Sequence, residues 1–125
     1  MIRLYLDPNY PKSVVHVLTS LESIQFPQRF EIVTGKWLDE FTTTNTAVFL
    51  IDLNKKGFNP VVESHIRDGY KVIAYKKPLS AAFDPYNCAL TLVTYWRRIL
   101  DDVARADGQL LISLSSSGNS YRIVK

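Results

Sequence analysis

Apolar side chains in this chain come in short runs that alternate with stretches of helical spacing. The first run, Ile2–Leu6, mixes branched and aromatic residues and is too short for a free-standing helix. It stops on Asp7 and Pro8, which predicts a buried strand that delivers a carboxylate to its C-terminal edge. Pro8–Pro11 reads as a turn that starts a helix, with Pro11 suited to the first helical position. Val14, Val15, Leu18 and Leu21 then fall on one face, predicting a helix to about Leu21 before Pro27 interrupts. Phe30–Val33 alternates as a second strand should. Gly35–Asn45 has no long period, although Trp37, Leu38 and Phe41 predict one short helical turn carrying Asp39 and Glu40. Ala47–Ile51 is an unbroken apolar run ending on Asp52, the signature of a central strand buried on both faces.

The second half repeats the alternation. A basic loop, Asn54–Pro60, leads into a helix with Pro60 near its start and Val61, Val62 and Ile66 expected inside, stopped by Gly69. Lys71–Tyr75 is a strand closed by Lys76, Lys77 and Pro78. From Tyr86 to about Ala104 runs the longest helical pattern, with Leu90, Val93, Trp96 or Arg97, Leu100 and Val103 or Ala104 as its expected packing face. Gln109–Leu114 and Tyr121–Val124 flank a Ser/Gly/Asn loop as an antiparallel hairpin. The order predicts a three-layer α/β sandwich with a mostly parallel central sheet and a C-terminal antiparallel hairpin.

Composition narrows this picture. A length of 125 residues fits one domain, 1–125, and 46% hydrophobic against 22% charged residues excludes disorder as the default state. A formal charge of +3 permits contact with a phosphate backbone without requiring it. The one cysteine, Cys88, cannot form an internal disulfide and reads as a small core residue on a helix. With no secretory leader and no run near membrane-spanning length, a cytoplasmic, soluble protein is expected, making no contact with a membrane. Phosphate-binding glycine loops, nucleophile elbows and paired-cysteine sites are absent from the sequence.

The chemistry therefore rests on acids. Parallel strands joined by right-handed crossovers end on one edge, so Asp7 and Asp52 are expected to lie close if their strands are neighbours or next neighbours. Paired carboxylates of this kind suit Mg²⁺ or Mn²⁺, which could orient a water against a phosphodiester. Asp39 and Glu40 are the candidates for a third ligand. An Asp beside Pro at a strand end is also ordinary turn chemistry. Asp84 reads as a helix cap, and Asp101 and Asp102 near a helical C-terminus are weaker. Lys55, Lys56, Lys76, Lys77, Arg97 and Arg98 could track a phosphate backbone, while His16 and His65 read as structural or exposed. A receiver-like sensor would need a lysine after a later strand, which Lys76 or Lys77 supplies.

Four places carry a family resemblance: Leu4–Asn9 with the helix after it, Val48–Asp52, Asn59-Pro60 with the helix and strand to Ala74, and Ala89–Asp101 around Thr94–Ile99. Together they resemble PIN-like domains, in the branch related to VapC-type toxin ribonucleases. The resemblance implies a metal-dependent single-strand RNA endonuclease, the toxin of a toxin–antitoxin pair, with RNA as substrate and an antitoxin or other protein as partner. Asp7 would match the first family acid, Asp52 the acid of the later strand, and Glu40, or Asp39 in a register shifted by one, the middle acid. These residues would bind Mg²⁺ or Mn²⁺; of the basic residues named above, Lys55, Lys56 and Arg97 are the candidates for contact with the nucleic acid. Pro8 stands where members often carry a glutamate, and the segment from Glu40 to Ala47 is shorter than the helix usually found there. The alternative these departures imply is a catalytically degenerate module that keeps the scaffold for protein or nucleic-acid binding.

Overall fold

A computed structural model describes residues 2–25, 30–53, 57–77, 82–115 and 121–124. Its elements follow the chain as β1 (Ile2–Leu6), α1 (Lys12–Gln25), β2 (Phe30–Val33), β3 (Thr46–Asp52), α2 (Pro60–Arg67), β4 (Lys71–Lys76), α3 (Pro85–Arg105), β5 (Leu110–Ser115) and β6 (Tyr121–Ile123). They form one six-stranded sheet in the order β2-β1-β3-β4-β5-β6, parallel throughout except for antiparallel β6. The α/β class and the mostly parallel sheet agree with the hydrophobic pattern, and no described helix is long and apolar enough to cross a membrane.

Strand alternation divides the interior in two. Leu4 and Leu6, Ala47 and Phe49, and Ile73 and Tyr75 point to the face covered by α1 and α3, whereas Tyr5, Val48, Leu50, Val72 and Ala74 point to the face covered by α2. β3 lies between β1 and β4 and is buried on both faces, as its unbroken apolar run predicts. β3–α2–β4 and β4–α3–β5 step the same way across the sheet but use opposite faces, so their hands are opposite. α1 agrees with α2, so α3 departs from the uniform right-handed winding expected of parallel β-α-β units. By joining α1, α3 leaves the α2 side of β5 thinly covered. A groove of about 320 Å³ opens there between Val62, Ile66, Leu111 and Val124.

Several local expectations are corrected. No helical turn forms over residues 34–45, because Trp37 and Phe41 pack onto the sheet face and Asp39 and Glu40 make only a turn. α1 continues to Gln25, since no breaker precedes Pro27. Val61 on α2 is 50% exposed, because Val62 and Ile66 alone align with the sheet. On α3 the buried set is Cys88, Thr91, Leu92, Trp96, Ile99, Leu100 and Val103, while Leu90 (51% exposed) and Val93 (38%) face outward. Asp84 caps α3, accepting the Tyr86 N–H at 3.0 Å, as expected of it. Gly69 ends α2 at φ +92°, where a side chain would be strained.

Candidate functional site

β1 and β3 are neighbours, so Asp7 and Asp52 terminate adjacent parallel strands at the same edge. This edge beside a change in strand order is where open α/β sheets bind ligands. In the strand register Leu6 stands opposite Phe49, and the Asp7 N–H donates to the Phe49 carbonyl at 3.1 Å. Asp52 is therefore two residues further along than the position opposite Asp7, and strand spacings put the two Cα atoms about 8 Å apart.

The two carboxylates have different surroundings. Asp52 is 0% exposed. Its Oδ2 accepts the Asn59 N–H at 2.9 Å and lies 3.6 Å from Lys76 Nζ, the residue in register with it on β4. Asn59 in turn caps α2, its Oδ1 accepting the Val61 N–H at 2.7 Å. The Lys76 ammonium also donates to the Gly57 carbonyl at 2.6 Å and stands 4.8 Å from the Phe58 ring centre. Asp52 thus ties the end of β3 to β4 and to the start of α2, and Lys76 supplies the positive charge its burial demands. In this enclosed state neither Asp52 oxygen is open to a phosphodonor of the kind a receiver-type aspartate must meet.

Asp7 is only half-buried, and its Oδ1 accepts the Asn9 N–H at 2.8 Å in a local Asx turn. It borders a cleft of about 440 Å³ with Tyr10, Lys12, His16 and Thr34, and a second of about 40 Å³ with Asn59 and Val62. Its negative charge adds to burial in raising the Tyr10 pKa, and Tyr10 is held in the core by a hydrogen bond from its hydroxyl to the Leu50 carbonyl at 3.4 Å.

The expected third ligand does not reach this edge. Glu40 pairs with Arg3 at 3.1 Å, and Arg3 lies four residues before Asp7 on β1, about 13 Å back along the strand. Asp39 is exposed in the turn beside it. Among the described residues no group of three His, Cys, Asp or Glu side chains could hold a metal ion. Asp52 is enclosed and ion-paired with Lys76, and among the described residues no third acid, His or Cys joins Asp7.

A second feature was not legible as a site in the sequence. Trp37, 38% exposed, sits among four rings on the α2 face of β1: Tyr5, Phe41 and Tyr70 edge-on at 4.9–5.3 Å, and His65 inclined by 36° at 5.3 Å. The Tyr5 hydroxyl donates to the Gly35 carbonyl at 2.7 Å, and the Tyr70 hydroxyl to the Phe41 carbonyl at 3.4 Å, which fixes the loop that carries Trp37. Arg3 lies 5.7 Å from the Phe41 ring centre. Burial lowers the His65 pKa, with Asp68 and Asp7 opposing it, so this imidazole is neutral near pH 7. The isolated Trp and Phe of an aperiodic loop were the available signal; the partners come from β1, α2 and the turn before β4.

Of the expected basic contacts, Lys55 and Lys56 lie outside the described residues. Arg97 is exposed on α3, which packs on the sheet face opposite Trp37. Compared with known proteins, the chain matches no family model, no curated protein and no solved structure.

Proposed function

We propose that this chain is a catalytically degenerate PIN-like module that binds single-stranded RNA by stacking bases on Trp37. Helices on both faces of a mostly parallel sheet, with acids ending β1 and β3, support the PIN-like architecture. The observation that carries the reading is the exposed Trp37 ring, buttressed by four others, with Arg3 over Phe41 of the same cluster and Lys36 preceding Trp37 in the chain. Aromatic platforms beside cations take single strands without strict sequence preference, each stacked base contributing about 1–3 kcal/mol. The enclosure of Asp52 by Lys76 and the diversion of Glu40 to Arg3 support binding over cleavage.

Fluorescence anisotropy of a labelled oligouridylate tests this directly. Trp37→Ala should weaken binding by roughly tenfold or more, and a rise in salt should weaken it further. Equal affinity of wild type and Trp37→Ala would sink the reading.

A second reading, the Mg²⁺- or Mn²⁺-dependent endoribonuclease held by an antitoxin, is favoured by the shared edge of Asp7 and Asp52. It requires Mn²⁺-dependent cleavage of a single-stranded RNA that Asp7→Asn abolishes.

A further inference from the structure

Helix α3 carries two copies of one arrangement, and among the described residues only one of them is filled. Arg98 and Asp102, one helical turn apart, hold Tyr121 of β6: the guanidinium carbon lies 4.0 Å from the ring centre, and the phenol hydroxyl donates to the Asp102 carboxylate. Arg97 and Asp101 repeat that pair one residue earlier, rotated about 100° around the helix to the solvent side. Among the described residues neither Arg97 nor Asp101 is in an ion pair, and no ring lies against Arg97.

The same outward stripe carries Tyr86, Leu90 and Val93, exposed by 72%, 51% and 38% at spacings of four and three residues. A two-fold axis would pair these positions. If two copies of α3 pack antiparallel about a point between Val93 and Thr94, Tyr86 falls opposite Asp101 and Leu90 opposite Arg97. Tyr86 and Asp101 both lie about 11 Å along the helix from that point, at 1.5 Å per residue. Each copy then offers a tyrosine where the other offers an Arg/Asp pair, the self-complementarity an isologous contact requires.

We propose that α3 is a homodimer interface, with a second copy of this chain as its occupant. Tyr86 of each copy enters the Arg97/Asp101 pair of the other, its ring against the guanidinium and its hydroxyl on the carboxylate, while Leu90 and Val93 close the centre. The filled pair at Tyr121 shows that this helix geometry accepts a tyrosine. The interface is on the opposite side of the sheet from Trp37, so it stands or falls separately from RNA binding.

Sedimentation across a concentration series tests the proposal on the full chain. Wild type should move from one to two times 14.3 kDa as concentration rises. Tyr86→Ala and Asp101→Ala should each raise the dissociation constant by roughly a hundredfold, since each removes two equivalent contacts of about tenfold. Combining them should add little, because the pair acts as a unit. Val93→Cys should form an intermolecular disulfide under mild oxidation. All these positions are exposed, and an unchanged circular-dichroism spectrum verifies the fold of each variant. A wild type that stays monomeric at high concentration overturns the proposal, as does a dimer indifferent to Tyr86→Ala.

Discussion

Asp7 and Asp52 follow the same sequence pattern, an apolar strand stopped by an acid, yet the fold gives them different work. Asp7 ends β1 beside a cleft and spends one oxygen on its own turn, whereas Asp52 is enclosed between β4 and the cap of α2. The pattern determines where a carboxylate goes, at the C-terminal edge of a parallel strand. The neighbouring strand determines what it does, because Lys76 stands in register with Asp52 and no cation stands in register with Asp7.

The largest expected effect separates the two acids by stability. Asp52→Ala leaves the Lys76 ammonium partly buried without its counter-charge and should cost about 3–5 kcal/mol in urea denaturation. Asp7→Ala removes one exposed turn bond and should cost about 1 kcal/mol or less. Equal losses would erase the distinction. Next, Lys76→Met should cost about 2–3 kcal/mol alone, but far less when combined with Asp52→Leu, because an apolar pair can replace a buried ion pair once neither charge is left over. Additive losses in the double variant would show that the two side chains do not act together.

Much of this architecture was legible beforehand. Every strand was visible, because short apolar runs and alternating segments bounded by Pro, Gly and polar turns have few other readings. The shared edge of Asp7 and Asp52 followed from parallel connections. The inward face of α3 was misjudged: Leu90 and Val93 fit a three-and-four spacing as well as Leu92, Trp96 and Ile99 do, and only the tertiary fold chooses between them. The Trp37 cluster was hidden for a different reason. Its rings come from four separate segments, and contacts between distant segments leave no period in the sequence.

A smaller effect concerns pH. Burial lowers the folded-state pKa of His65 below its ordinary 6.5, so the unfolded chain binds the proton more readily. The stability this neutral imidazole contributes is fully present above pH 6.5 and is lost as pH falls below it. Denaturation midpoints should therefore rise with pH up to about 6.5, with a shallower slope in His65→Gln. A slope unchanged by His65→Gln would remove this residue from the balance.

Lys76, not a divalent ion, balances the charge of Asp52. A thermal melt of wild type with and without Mn²⁺ tests it most directly. A metal bound at this edge at about a hundredfold excess over its Kd would add about 2.7 kcal/mol, raising Tm by several degrees. The Lys76 pairing predicts no rise. A rise that disappears in Asp7→Asn and Asp52→Asn would contradict it and return the site to the endonuclease.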